Sequence, residues 1–149
     1  MKYSISIFIL FLTTGFSVKA QSIDNNILSS FQKAPEEGKY VLMVFSGSDW
    51  CKPCMQLKQK ILSNEAFTNY SSNRLLIHEV DFPYKRKNKL SKTQQQQNDE
   101  LAERYNKEGV FPKVLLFNVE GEIIVEVKYV EYMTPDEFIH LIDSQLEKQ

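Results

Sequence analysis

The sequence predicts an α/β fold with a mixed central sheet of about four strands and with helices on both faces. Its first half alternates between helical and strand periodicity, which favours parallel strands joined by crossover helices. Residues 40–45 are almost all apolar, as in a strand that is covered on both faces. A turn at Glu120 and Gly121 between two apolar segments predicts a late antiparallel hairpin, which a final helix follows.

Apolar spacing predicts the elements of the first half. Residues 22–33 are expected to form a helix because Ile23, Ile27, Leu28 and Phe31 fall on one face. The Ala-Pro-Glu-Glu-Gly segment 34–38 is expected to end it. The elements that follow are, in order, a strand over 40–45, a turn over 46–49, a helix up to residue 62, a short helix over 64–70 and a strand over 75–82.

The second half begins with a helix and ends with one. Its first elements are a helix over 94–107 and strands over 114–117 and 123–130. Thr134 and Glu137 then have the spacing of a capping box, with Pro135 at the first helical position. The closing helix carries Phe138 and Leu141 on its apolar face, so it is expected to pack against the sheet.

The only two cysteines, Cys51 and Cys54, lie in the segment 50–54, which reads Trp-Cys-Lys-Pro-Cys. This segment follows the apolar strand and opens the next helix. Unpaired N–H groups and the helix dipole at a helix N-terminus favour the thiolate of Cys51, which is the attacking species. Cys54 lies one turn further on, within reach of a mixed disulfide at Cys51. The pattern therefore predicts a redox-active dithiol.

A structural disulfide, a zinc site and coincidence are the alternatives to a redox dithiol. A disulfide here closes a loop of only four residues, for which the chain-entropy description gives about 2 kcal/mol of stabilisation at best. A structural zinc site needs about four ligands, and the sequence offers Cys51, Cys54, His78 and His140 in no finger-like spacing. We therefore expect no metal and no catalytic role for either histidine.

Residues 1–20 have the pattern of a secretory signal peptide. Lys2 supplies a basic start, residues 5–12 are mostly apolar, and the Val-Lys-Ala segment that ends at Ala20 resembles a signal-peptidase site. The apolar segment is too short for a good transmembrane helix, although an uncleaved membrane anchor is the alternative. We expect export across the inner membrane to the periplasm and a single mature domain over 21–149.

The charge balance excludes several classes of partner. The chain has 18 basic and 19 acidic side chains. Removing Lys2 and Lys19 with the predicted signal peptide leaves 16 basic against 19 acidic residues, a net charge of −3. A weakly acidic domain gives no reason to expect binding to nucleic acid or to an anionic membrane. We expect the mature protein to be a monomer.

One segment of the chain is rich in basic residues. Residues 85–89 read Lys-Arg-Lys-Asn-Lys, Lys92 follows, and residues 94–97 are all glutamine. This stretch resembles an insertion between the second strand and the third helix. A solvated, mobile loop and a docking surface for an acidic partner are the two interpretations.

The segment 50–54, together with Val110-Phe111-Pro112 before a predicted strand and with the order of elements, resembles the thioredoxin superfamily. The Phe-Ser-Gly-Ser-Asp-Trp-Cys segment that ends at Cys51 is similar to the secreted thioredoxin-like proteins of Gram-negative bacterial envelopes. The resemblance covers nearly all of the predicted mature domain.

This resemblance implies roles for several residues around the dithiol. The Phe111–Pro112 bond is expected to be cis and to lie beside the cysteines, where the backbone of Phe111 can pair with an extended substrate. Trp50, Pro53 and Pro112 are then expected to shape the surface on which the substrate docks. Phe111 is bulkier than the small or β-branched residue common at its position, so the range of substrates is expected to differ.

The sequence also departs from that family. Thioredoxins carry a buried acid six or seven residues before the first cysteine, and here those positions are Phe45 and Val44. Glu79 and Asp81 on the next strand are candidate substitutes, although a surface or turn position is the simpler interpretation for both. Lys52, where thioredoxin has glycine, is a candidate for tuning the dithiol, with an ordinary solvated lysine as the alternative.

The dithiol and the resemblance together predict a periplasmic protein disulfide reductase that needs no bound cofactor. Its substrates would be disulfide-containing proteins. Its electrons would come from a membrane donor, because the envelope is an oxidising compartment. The alternatives are an oxidase or isomerase of the same fold with a different redox poise, and a non-catalytic thioredoxin-fold binding module.

Overall fold

The computed structural model describes residues 27–148, so the predicted signal peptide and the start of the predicted helix 22–33 lie outside the described residues. Helices and strands alternate in the predicted order. In chain order they are α1 (Ile27–Glu37), β1 (Tyr40–Ser46), α2 (Lys52–Gln56) with a π-helical continuation (Leu57–Leu62), α3 (Glu65–Arg74), β2 (Leu75–Asp81), a 3₁₀ turn (Arg86–Asn88), α4 (Lys92–Tyr105), β3 (Lys113–Phe117), β4 (Ile123–Glu126) and α5 (Pro135–Leu146).

The four strands form one mixed sheet in the order β2-β1-β3-β4, which confirms the predicted architecture. β1 and β2 are parallel, and the connection between them runs through α2 and α3. β3 lies antiparallel to both β1 and β4. The parallel pair therefore comes from the alternating first half of the chain, and the antiparallel pair of β3 and β4 is the predicted late hairpin.

The central strand β1 is buried on both faces, as its apolar sequence predicts. Leu42 and Val44 belong to a core shared with the π-helical segment, α3 and α5. Met43 and Phe45 point to the opposite face, where Phe117 and residues of α1 and α4 complete a second core. The sheet thus separates two hydrophobic layers, and helices cover both of them.

The end of α1 differs from the prediction. The segment 34–38 was expected to end the helix at residue 33, but α1 continues through Pro35 to Glu37. A proline in the last turn removes only one backbone donor, and Ala34 is fully buried against the second core. Gly38 then adopts a left-handed φ of 61°, a backbone conformation that glycine tolerates best at a helix end.

The strand β4 is shorter than the predicted strand 123–130. It ends at Glu126, and the Val127 N–H donates the next bond of the ladder to the Val114 carbonyl at 2.9 Å. In the register that pairs Leu115 with Glu126, the two residues of β3 before Leu115 can face only Val127 and Lys128. The start of β3 at Lys113, which the alternation of 123–130 does not encode, therefore excludes residues 129 and 130 from the ladder.

The remaining helices confirm their predicted positions, with shifted ends. α3 runs to Arg74 and α4 starts at Lys92, where the Ser91 hydroxyl caps it by accepting from the Gln94 N–H. The capping box of α5 is present as predicted: Thr134 accepts from the Glu137 N–H, and the Glu137 carboxylate accepts from the Thr134 N–H at 2.7 Å.

Candidate active site

Strand register brings three separate segments to one edge of the sheet. In the parallel pair, Ser46 at the end of β1 lies opposite Asp81 at the end of β2. In the antiparallel pair, Phe45 lies opposite Lys113, the first residue of β3. The loop after β1, the loop after β2 and the residues just before β3 therefore meet. These are the segments that carry the cysteines, the basic run and Pro112.

The two cysteines form a disulfide at the start of α2, with an S–S distance of 2.00 Å and Cα atoms 5.2 Å apart. Cys51 is the N-cap residue of α2 and has an extended backbone, with φ −84° and ψ 100°. Its Sγ accepts from the Cys54 N–H at 3.3 Å. The Cys51 N–H donates back to the Gly47 carbonyl at 2.9 Å, which closes the turn. The sulfur that needs stabilisation as a thiolate therefore already faces a helical N–H.

The surroundings of the two sulfurs differ. Cys51 is 5% exposed and Cys54 is 2% exposed, so both are largely covered in this oxidised form. A shallow cavity of about 360 Å³ borders Cys54, with Ser46, Met55 and Lys58 among its walls. Lys52 and Pro53, between the cysteines, are exposed to solvent.

The Trp50 side chain lies over the turn that leads to the dithiol. Its Nε1 donates to the Phe82 carbonyl at 2.7 Å, and about half of the residue is exposed. A Cβ atom at position 47 would overlap the indole, so the Trp50 ring needs glycine beneath it. The sequence patterns assigned no role to Gly47, although it lies in the segment 45–51 that carries the family resemblance, and Phe82 belongs to no recognisable motif.

The Phe111–Pro112 peptide bond is cis, which confirms that prediction. The Phe111 ring packs edge-on against Trp50, with centroids 5.4 Å apart, and against Phe82, with centroids 5.7 Å apart. This aromatic cluster joins the segment before β3 to the turn of the dithiol. It brings together Trp50, Phe111 and Pro112 from the predicted docking set.

Glu79 and Asp81, the candidates to replace the buried acid of thioredoxins, both form other contacts. Asp81 accepts from the Ser48 N–H at 2.8 Å and from the Ser48 hydroxyl at 2.6 Å, so it is a turn carboxylate. Glu79 forms an ion pair with Lys58 at 2.7 Å, and its side chain is only 12% exposed. The Lys58 side of this pair borders the cavity next to Cys54.

The two histidines lie away from the cysteines. His140 is exposed on α5. His78 is buried on β2 and borders a cavity between α1 and α4, next to Phe31 and Tyr105. Within residues 27–148, no group of three or more His, Cys, Asp or Glu side chains is arranged to hold a metal ion.

Asp49, in the turn before the cysteines, binds the basic loop that begins at Tyr84. The sequence patterns did not predict this connection. The Asp49 carboxylate accepts from the Tyr84 N–H at 2.8 Å, the Lys85 N–H at 3.0 Å and the Asn88 side chain at 2.8 Å. Desolvation raises the pKa of Asp49, but the bonds from Tyr84, Asn88 and Lys85 outweigh it and hold the pKa below its ordinary value. The attachment is therefore complete at neutral pH and is lost only as the pH falls through that lowered pKa.

The helices of residues 27–148 include none that is both long and apolar enough to cross a bilayer.

The chain is similar in sequence to a known domain family and to two named proteins. The thioredoxin-like domain family matches residues 28–146. A Chlamydia pneumoniae protein named disulfide bond reductase DsbH is 30% identical over 100 residues, which are 67% of this chain and 58% of that protein. Thioredoxin-related protein DsbJ of the same organism is 29% identical over 94 residues, which are 63% of this chain and 26% of DsbJ. The chain thus spans little more than half of the first relative's length and about a quarter of the second's.

Solved structures show the same fold. One named DsbH oxidoreductase superposes with a TM-score of 0.76 at 25% identity and covers 93% of this chain and 94% of its own. The C-terminal domain of Neisseria meningitidis DsbD in the oxidised form has a TM-score of 0.55 at 19% identity, covering 85% of this chain and 99% of that domain.

Proposed function

The chain belongs to the thioredoxin-like domain family, and from that premise we propose that it reduces disulfide bonds in proteins of the bacterial envelope. The observation that carries the proposal is the disulfide between Cys51 and Cys54 at the start of α2. The relative named disulfide bond reductase supports the direction of the reaction. The reduction potential of the Cys51–Cys54 pair tests that direction.

The first step is attack by the Cys51 thiolate on one sulfur of a substrate disulfide. A bond forms between Cys51 and that sulfur, the substrate S–S bond breaks, and the other substrate sulfur leaves as a thiolate that takes up a proton. The Cys54 N–H at 3.3 Å from Cys51 Sγ can hydrogen-bond the attacking thiolate. The helix N-terminus adds its favourable field to this bond.

The second step releases the reduced substrate. Cys54, as a thiolate, attacks the Cys51 sulfur, the mixed disulfide breaks, and the second substrate sulfur leaves and is protonated. Two electrons have then passed from the dithiol to the substrate, and Cys51 and Cys54 are again a disulfide. The dithiol itself holds the electrons, so the reaction needs no bound cofactor. We propose a membrane protein as the donor that reduces the pair again, because the envelope is oxidising.

The docking surface for the substrate consists of Trp50, Pro53, Phe111 and Pro112. Trp50 and Pro53 are exposed next to the cysteines. Phe111 contacts Trp50, and its backbone precedes the cis bond. An extended substrate strand could pair with that backbone while its disulfide faces Cys51.

We expect the reduction potential of the Cys51–Cys54 couple to lie between about −270 mV and about −150 mV. Lys52 and the helix N-terminus favour the Cys51 thiolate and hence the reduced form, which raises the potential above that of thioredoxin. Lys52 is exposed, so screening keeps its effect small. Equilibration against glutathione buffers measures the potential.

The matched variant Lys52→Gln should lower the potential by less than about 30 mV. A wild-type value above about −150 mV would make the protein an oxidase. An insulin-reduction assay provides the second readout, because a non-catalytic binding module would not accelerate the reaction.

We also propose that residues 1–20 are a signal peptide and that the mature domain over 21–149 acts as a periplasmic monomer. Lys2, the apolar segment 5–12 and the site ending at Ala20 support export. Mass spectrometry of the natively expressed protein should then find Gln21 at the N-terminus. Recovery of an intact Met1 from the soluble cytoplasmic fraction would contradict this proposal.

A further inference from the structure

The loop after β2 concentrates positive charge beside the candidate active site. Residues 84–92 hold five basic side chains and no acidic one, whereas the whole chain has a net charge of −1. The rest of the sequence therefore carries a net charge of −6. All five basic side chains are exposed, and within residues 27–148 none of them forms a salt bridge. The basic segment, defined as residues 84–92, is thus a positive patch, and the Asp49 carboxylate that binds its backbone offsets only part of its charge.

The basic segment is held in place relative to the dithiol. Asp49 accepts from the backbone of Tyr84 and Lys85 and from the side chain of Asn88, at 2.8 to 3.0 Å. Asp49 is followed directly by Trp50 and Cys51. A solvated spacer loop does not need such an anchor, whereas a docking surface does, because its charges must keep a defined distance from the reacting sulfur.

An aromatic path connects the two features. The Trp50 indole donates to the Phe82 carbonyl at 2.7 Å, and Phe82 lies two positions before Tyr84. Trp50 is 49% exposed and Tyr84 is 86% exposed. A polypeptide that contacts Trp50 can therefore continue along exposed aromatic surface towards Lys85 and Arg86.

We propose that the basic segment is a specificity surface that selects substrates with acidic residues next to the disulfide to be reduced. This proposal rests on the proposed reductase function. The occupant is an acidic segment of the substrate protein, because the patch is local, opposite in sign to the rest of the chain, and anchored within two residues of Cys51. Complementary charge would accelerate encounter and weaken with salt.

The test compares two disulfide-linked peptides that differ only in having glutamates or glutamines beside the cysteine. The reduced protein is mixed with each peptide, and oxidation is followed by the fluorescence of Trp50, the only tryptophan, which adjoins Cys51. We expect a second-order rate constant about fivefold higher for the acidic peptide at low salt. This ratio should fall towards one above about 0.15 M salt.

Two variants assign the preference to the basic segment. Lys87→Gln with Lys89→Gln removes two of the five basic side chains of the segment and should lower the ratio. Lys128→Gln with Lys148→Gln removes two exposed lysines elsewhere and should leave the ratio intact. Asp49→Ala should also lower the ratio, although it adds net positive charge, because it releases the anchor of the loop.

The outcomes separate this inference from the reductase function. Equal rates for the two peptides in the wild type, or an unchanged ratio in the Lys87 and Lys89 variant, would overturn the specificity surface and leave the reductase standing. An unchanged or higher ratio in Asp49→Ala would overturn the anchored surface. If the protein reduces neither peptide, both the specificity surface and the reductase function are wrong. A different result would assign the segment to a lipid surface instead. In that case the two peptides react at equal rates, the protein binds phosphatidylglycerol vesicles, and Lys87→Gln with Lys89→Gln abolishes this binding.

Discussion

Replacing Cys51 by serine is expected to abolish disulfide reduction, a loss of roughly a thousandfold or more. A serine hydroxyl does not attack a disulfide at neutral pH, because only the thiolate is a sufficient nucleophile. Cys54→Ser should behave differently: the first attack still occurs, and the substrate stays bound to Cys51 as a mixed disulfide. Insulin reduction measures the first variant, and non-reducing electrophoresis followed by mass spectrometry detects the trapped species of the second.

The control for this division of labour is alkylation of the reduced wild-type protein at neutral pH. Cys51 should be labelled first, since it is the N-cap residue and its Sγ accepts the Cys54 N–H, which favours the Cys51 thiolate. Ser48→Ala serves as a matched variant on the same turn and should not trap substrate. Faster labelling of Cys54, or trapping by Cys51→Ser in place of Cys54→Ser, would reverse the assignment.

Replacing Phe117 by alanine is expected to cost about 3–5 kcal/mol of the free energy of unfolding. Phe117 ends β3 and is fully buried. Its ring packs edge-on against Phe31 of α1 at 5.2 Å and Tyr105 of α4 at 5.5 Å. Truncation leaves a cavity between the sheet and two helices, so the lost free energy of unfolding includes the contacts with both α1 and α4. Urea denaturation of the oxidised protein measures it.

The stability comparison needs an exposed control. Val130→Ala removes a side chain that is 59% exposed after β4 and should change the free energy of unfolding by about 0.5 kcal/mol or less. Both variants must keep the Cys51–Cys54 disulfide for the comparison to hold. A cost below about 1 kcal/mol for Phe117→Ala would mean that the second core can close around the gap.

Local patterns in the sequence were sufficient for most elements. The apolar run over 40–45 identified a strand buried on both faces, and the Thr134 capping box identified the start of α5. Element ends were less accurate: α1 continues through Pro35, and β4 stops at Glu126. The burial of Ala34 extends α1, and the start of β3 at Lys113 excludes residues 129 and 130 from the ladder. Neither is encoded in the local sequence.

The sequence by itself determined the chemistry of the candidate site. Two cysteines at C-x-x-C spacing, after a strand and before a helix, specify a dithiol whose first sulfur faces helical N–H groups. The resemblance to a known family predicted the cis peptide bond before Pro112, which the structure contains. All of these features involve residues that are close in the chain or belong to a recognised motif.

Only the tertiary structure decided how the surroundings of the dithiol are built. The bond from Trp50 to Phe82 spans 32 positions, and those from the loop backbone to Asp49 span 35 and 36. Such pairs form because the parallel register of β1 and β2 ends both strands at the same edge. An aspartate in a turn and a basic loop each look like ordinary solvated surface in the sequence, and their connection exists only once the sheet has brought them together.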